Sequence, residues 1–158
     1  MGTYRAPIED MNFLIDEVLD AENALGTLPD FADYGVGSEL TTVLLDEAAK
    51  LAGDELAPLR RVGDEQPAIC TDGAVTTPPG YDAALRQLAE GGWIGISSDP
   101  RYGGQGLPEI YNTVGHEMWN GANMALGLAP MLSSGAALAI HAHGTEAQKQ
   151  TYLEKMNT

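Results

Sequence analysis

Residues 99–109 read DPRYGGQGLPE. Gly103, Gly104 and Gly106 fall within four residues, framed by Pro100 and Pro108. An apolar GGWIGIS (91–97) precedes the stretch and a helix-like segment follows it. An apolar segment, a glycine loop and a helix, in that order, can cradle a phosphate. The dinucleotide fingerprint Gly-x-Gly-x-x-Gly, begun at Gly104 and Gly106, requires a third glycine where this chain has Glu109. A carboxylate in a first helical turn suits the helix dipole but repels a phosphate. No Gly-x-x-x-x-Gly-Lys-Ser/Thr occurs elsewhere. The stretch therefore predicts a tight corner. Its glycines permit positive φ and close backbone approach, Tyr102 and Leu107 anchor it, and Pro108 opens the next helix.

Working outward, helical patterns lie on both sides of this corner. Downstream, one helix is expected over 108–119, interrupted by Asn120-Gly121, and another over 122–141. Gly144 stops the second, and Thr145-Glu146-Ala147-Gln148 forms a capping box for a last helix. Upstream, PPGYDAALRQLAEGG (78–92) reads as a helix opened by proline and closed by glycine. Before it, AICTDGAVTTPP (68–79) places Asp72-Gly73 between short β-prone arms, which is a hairpin signal. Ser38 is a candidate N-cap for a helix ending near 60–63, with Leu40, Val43, Leu44, Ala48, Leu51, Ala52 and Leu59 as its apolar stripe. At the N-terminus, Met11, Leu14, Ile15, Val18 and Leu19 share a face over 8–22, opened by Pro7. Residues 23–37 read as a connector pinned by Leu28, Phe31 and Tyr34. The expected fold is mostly α, an up-and-down helical bundle with one small β-hairpin. It divides into an N-terminal extension (1–37) and a helical domain (38–158).

Composition supports this reading. The chain has 158 residues, enough for one domain with its own core. Aromatics make up only 6%, while Ala, Gly and Leu are plentiful, which favours close-packed helices over a β-sandwich. The net charge is -15, and 16 of the 23 acidic residues lie in 1–80. Nucleic acid, which demands clustered Lys and Arg, is excluded as a partner. Cys70 is the single cysteine, so neither an internal disulfide nor a cysteine-based metal site is available. MGTYRAPIED has no apolar signal core, and Ala6 stands where myristoylation wants Ser or Thr. From Met118 to Thr145 there is no Asp, Glu, Lys or Arg. That length could span a bilayer. Pro130, several Ser and Asn, two histidines and the lack of flanking basic anchors favour a buried central helix instead.

Chemistry-bearing residues are sparse. His141 and His143 are two apart and diverge on a helix, and His116-Glu117 lacks the second histidine of a zinc motif. No metal site is expected. Ser133-Ser134-Gly135 is not a nucleophile elbow. On the helix after Asn120-Gly121, Gly127, Met131 and Gly135 recur at i, i+4 and i+8. Two absent side chains beside an adaptable methionine could leave an apolar groove. The same glycines could equally serve close helix packing.

These blocks together resemble the N-terminal helical domain of the acyl-CoA dehydrogenase family. The carrying residues are GGWIGISSDPRYGGQGLP (91–108), the helix pair, and HGTEAQKQTYLEKM (143–156), and the resemblance covers about 38–158. YRAPIEDMNFLIDEVL (4–19), APLRRVGDE (57–65) and VTTPPGY (75–81) are similar to a longer bacterial branch, that of the 3-methylmercaptopropionyl-CoA dehydrogenase-like enzymes.

The resemblance implies a cytoplasmic flavoenzyme that uses FAD to desaturate an acyl-CoA thioester between Cα and Cβ, a glutamate serving as base. Electrons would pass to an electron-transfer flavoprotein, and the full-length protein would be a homodimer or homotetramer. In the family the base and nearly all FAD contacts lie in a middle β-domain and a C-terminal helical domain beyond position 158. No catalytic or cofactor-binding residue is therefore assigned within this chain, which is expected to be inactive alone. The resemblance places Gly127, Met131 and Gly135, with Leu128 nearby, on the wall of the acyl pocket. A stand-alone acidic helical interaction module without cofactor is the alternative. A nucleotide-binding domain built on the glycine loop is the third reading.

Overall fold

The computed structural model describes residues 4–31 and 37–158. Tyr34 and the side chain of Ser38 lie outside what is described; Ser38, expected as an N-cap, is instead the first residue of its helix, and Gly37 takes the N-cap position. The chain is helical almost throughout. α1 (Ile8–Asn12) continues through a π-helical segment, Phe13–Val18, and α2 (Ala21–Gly26) follows. α3 (Ser38–Lys50) runs through a second π-helical segment, Leu51–Leu56, into α4 (Ala57–Glu65). β1 (Ile69–Thr71) and β2 (Ala74–Thr76) form the hairpin, and α5 (Tyr81–Glu90), α6 (Glu109–His143) and α7 (Glu146–Asn157) complete the fold.

The hairpin forms as its turn residues require. Asp72 and Gly73 both have positive φ, 51° and 82°, as a two-residue type I′ connection demands. Ile69 pairs with Thr76 across an antiparallel ladder exposed along both strands. The capping box of α7 is also present: Thr145 Oγ1 accepts from Gln148 N, and Gln148 Oε1 accepts from Thr145 N.

Two expected stripes are rotated. In the long α3–α4 helix the buried positions are Thr41, Leu45, Ala48, Ala52 and Leu56, while Val43 is exposed. Leu44 and Leu45 both fit a helical period; Leu45 joins the main core, while Leu44 packs half-buried against the smaller Ile96–Tyr111 cluster. Of the five residues of the expected N-terminal stripe, Met11 and Ile15 are buried in the core. The π-helical turn and the bend at Leu19 leave Phe13, Leu14, Val18 and Leu19 exposed. The expected 8–22 helix thus ends early, and part of the expected connector is α2.

The main core gathers Met11 and Ile15 from the N-terminal segment with Leu45, Ala52 and Leu56. Opposite them lie Leu88 of α5 and Met118, Trp119 and Leu126 of α6. Trp93 meets Trp119 edge-on, with centroids 5.6 Å apart. A second cluster, Tyr102, Ala137 and Leu153, ties the glycine corner to the far half of α6 and to α7.

The decisive feature is a break inside α6. Asn123 has φ -156° and ψ 87°, and the residues on either side form two separate helical halves. The break was expected three residues earlier, at Asn120-Gly121. It falls at Asn123 because that side chain is fully buried and has three partners. Its Oδ1 accepts from Leu126 N, capping the second half, and from Tyr81 Oη, both at 3.3 Å. Its Nδ2 donates to Leu56 O at 3.2 Å. Asn120 Oδ1, by contrast, is buried without a partner. Among the described residues α6 is the one helix long and apolar enough to cross a bilayer by length and composition. The first half buries Tyr111, Gly115, Met118, Trp119 and Ala122, whereas the second exposes Met124, Leu128, Leu132 and Leu138 rather than forming the buried central helix expected.

The corner over 99–109 is a self-contained backbone knot. Tyr102 N donates to Asp99 O, Gly103 N to Pro100 O, Gly104 N to Asp99 O, Gln105 N to Gly95 O, Gly106 N to Ser98 O, and Leu107 N to Ile96 O. Every amide from 102 to 107 is therefore committed within the chain, leaving none to cradle a phosphate. Gly103 and Gly106 take positive φ, 80° and 67°. Gly104 packs directly on the backbone of Ser98.

Candidate functional site

Because α6 doubles back at Asn123, its two halves face one another across a cleft of about 510 Å³. Glu109, Asn112 and His116 line one wall, and Met131, Gly135 and Leu138 line the other. The pairs His116/Met131, Asn112/Gly135 and Glu109/Leu138 lie at nearly equal sequence distances on either side of the break. That is the register of an antiparallel helical pair. Ser97 and Ser98 of the corner, with Leu153 and Asn157 of α7, complete the lining.

Of the four residues read as a pocket wall, Met131 and Gly135 line this cleft, while Gly127 and Leu128 do not. Each four-residue step overshoots a full turn by about 40°, so positions 127 and 135 differ by about 80° around the helix. Gly127 is buried at the hairpin tip, where an added Cβ would lie 2.7 Å from Asn120 Oδ1 and 3.4 Å from Trp119 Cβ. There the glycine serves close packing. At Gly135 an added Cβ would meet nothing within 4 Å. Both alternatives posed by the glycine spacing therefore occur, each at a different glycine.

The polar wall was not read from the sequence as a site. Its signal was present: Glu109, Asn112 and His116 stand at i, i+3 and i+7, one face of a largely apolar helix. Asn112 Nδ2 donates to Glu109 Oε1 at 2.6 Å, so these two largely satisfy one another. His116 does not share in this. Its Nδ1 is buried without a partner. Burial holds the imidazole below its ordinary pKa, against the opposing pull of Glu109.

A second polar group closes the cleft at the corner. Asp99 accepts from Arg101 N at 2.8 Å and from Arg101 Nη2 at 2.7 Å, and its Oδ2 lies 3.1 Å from His141 Nε2. Tyr102 stacks edge-on to His141, and its hydroxyl donates to Glu146 Oε2 at 3.2 Å. The Arg101 side chain, then its backbone amide and His141, hold the Asp99 carboxyl well below the usual carboxylate range, although burial opposes them. A depressed carboxyl contributes stability above its unfolded value, near 3.8, and loses it as pH falls below that value. Asp99→Asn is accordingly expected to weaken the fold at pH 7 and to flatten its loss of stability below about pH 4. Urea midpoints for both proteins at neutral and acid pH measure this. Parallel pH dependences would refute the assignment.

The fold and cleft define a helical bundle domain that presents a mixed apolar and polar groove between two halves of one helix. Residues 38–158 match the model of the acyl-CoA dehydrogenase N-terminal domain, and the chain belongs to that family. It is 33% identical over 156 residues to 3-methylmercaptopropionyl-CoA dehydrogenase of Ruegeria pomeroyi, an alignment covering 99% of this chain and 26% of that protein. It is 30% identical over 154 residues to the broad-specificity linear acyl-CoA dehydrogenase FadE5 of Mycobacterium tuberculosis, covering 95% of this chain and 24% of that one. The chain thus spans about a quarter of the length of these relatives.

Proposed function

We propose that the chain is the N-terminal helical domain of a larger flavin-dependent acyl-CoA dehydrogenase, in which it supplies a wall of the acyl pocket. The observation that carries this is the cleft between the halves of α6, with Met131 and the open Gly135 on one side. In this reading the chain binds and orients the acyl group and keeps water from it. α,β-Desaturation, transfer of electrons to an electron-transfer flavoprotein, and assembly as a homodimer or homotetramer belong to the whole enzyme.

The cleft and the glycine corner do not fit the phosphates of FAD or of CoA. The cleft carries the carboxylates of Asp99 and Glu109, and the guanidinium of Arg101 is held on Asp99. The glycine corner has no free amide to offer. Those contacts, like the catalytic base, are assigned to the parts of the enzyme outside this chain, and the domain alone is expected to be inactive.

Gly135→Phe tests the proposal. The new ring enters open space, and replacing a helical glycine does not oppose the fold. In the complete enzyme it is expected to lower kcat/KM for long acyl-CoA relative to short acyl-CoA by about tenfold or more, since filling the cleft displaces several methylenes. An unchanged chain-length profile would remove Gly135 from the pocket. Gly127→Phe is unsuitable for this purpose, because its side chain would collide with Asn120 at the hairpin tip.

A further inference from the structure

An exposed apolar ridge lies on the N-terminal segment, away from the cleft. In an α-helix, side chains five residues apart diverge by about 140°. A π turn closes i→i+5 hydrogen bonds instead, which brings such residues onto one face. Phe13–Val18 is π-helical, and Leu19 N donates to Leu14 O at 2.9 Å. Phe13 thus lies beside Val18 and Leu14 beside Leu19, and all four are more than half exposed. Met11 and Ile15, on the opposite face, are buried and hold the segment on the core. Single exposed apolar residues are ordinary, whereas large ones gathered into one patch mark an interaction surface.

The ridge is set among acids. Asp16, Glu17 and Asp20 are interleaved with it, and residues 1–31 carry seven acidic side chains against Arg5 alone. Two copies meeting through the ridge would bring these carboxylates together, which disfavours a second copy as its cover. The ridge also precedes residue 38, where the match to the family domain begins. Both relatives nevertheless align through it, and about three-quarters of their length lies outside the aligned part. We infer that the ridge of Phe13, Leu14, Val18 and Leu19 is the docking surface for a part of the same enzyme that follows residue 158, and that the surface it meets is apolar with a rim of Lys or Arg. The N-terminal extension is then a strap: Met11 and Ile15 fix it to the helical domain, and the ridge grips the rest of the protein. This inference rests on the chain being the N-terminal part of a larger enzyme, and not on the cleft being the acyl site.

Val18→Cys in the complete enzyme gives the first readout. Val18 is 58% exposed in this chain, so the domain itself does not shield the position. Alkylation by iodoacetamide, followed at position 18 by peptide mass, is nevertheless expected to be at least about tenfold slower in the native enzyme than in urea. The protection is expected to persist on dilution. Protection that vanishes as subunits dissociate would give the ridge to a second copy and overturn the inference. Charge gives the second readout. Val18→Lys is expected to lower the Tm of the complete enzyme by about 3 °C more than Val18→Glu, because lysine would face like charge. In the 158-residue chain, whose net charge is -15, the order is expected to reverse. Lysine tolerated as well as glutamate in the complete enzyme overturns the inference. An enzyme that oxidises acyl-CoA while Cys at position 18 reacts as fast as in urea overturns this inference alone. A gene that ends at residue 158 removes the larger enzyme and this inference with it.

Discussion

Asn123→Ala is expected to cost the domain about 3 kcal/mol, combining a lost helix cap with the loss of a buried hydrogen bond to Leu56 O and a half-buried one from Tyr81 Oη. The substitution removes the acceptor for Leu126 N and Tyr81 Oη and the donor for Leu56 O. Each of these groups lies at the junction of α4, α5 and the two halves of α6. Water cannot replace the amide there, because Asn123 is fully buried. For a chain of this size the loss corresponds to a fall in Tm of about 10 °C. Asn120→Ala is the matched control. Asn120 Oδ1 is buried and unpartnered, so deleting it forfeits no hydrogen bond of that atom. Thermal and urea unfolding of the two variants side by side decide the matter. Equal losses at 120 and 123 would mean that the break is not held by Asn123.

The second large effect is expected at Gly104. An alanine Cβ there would lie 2.0 Å from Ser98 O and 2.3 Å from Ser98 C, both backbone atoms. Ser98 O is already committed to Gly106 N at 2.9 Å, and the neighbouring Ile96 O to Leu107 N. Relief therefore requires the corner itself to open. Gly104→Ala is expected to destabilise by at least about 3 kcal/mol, the upper range of overpacking in a site that cannot relax. The Tyr102–Ala137–Leu153 cluster should loosen with it. Gly26→Ala provides the contrast. Its added methyl meets nothing within 4 Å at the end of α2, so stability should hold or rise slightly. A Gly104→Ala protein as stable as its parent would show that the close approach is not required.

Much of the fold was legible because its signals are local. The Asp72-Gly73 turn, the Thr145/Gln148 capping box and the Gly91-Gly92 stop act within a few residues, so their outcome does not depend on distant packing. The misread positions are those where two local solutions compete. Leu44 and Leu45 both suit the α3 stripe, and only the packing of α3 against α1 and α6 chooses Leu45. Asn120-Gly121 has the better breaker composition, yet Asn123 breaks the helix because Leu56 O and Tyr81 Oη stand opposite it. Those partners are 67 and 42 residues away in sequence.

The candidate site divides in the same way. Met131 and Gly135 could be singled out from spacing, and they line the cleft. Gly127 shares the spacing, and Leu128 lies beside it, but neither lines the cleft, because the helix rotates away and the hairpin tip claims Gly127 for packing. Glu109, Asn112 and His116 could be placed on one helix face from sequence, but a face becomes a wall only when something stands opposite it.

By itself the sequence determined the helical class, the position of the hairpin, the capping box at Thr145–Gln148 and the corner at 99–109, including that Glu109 denies that corner a phosphate. Each of these follows from backbone preferences of neighbouring residues. Tertiary structure alone decided that α6 folds back at Asn123, that Asp99 meets His141, and that His116 faces Met131 across a cleft. Those are meetings between residues far apart in the chain. Their outcome is set by which buried polar groups find partners once the helices pack.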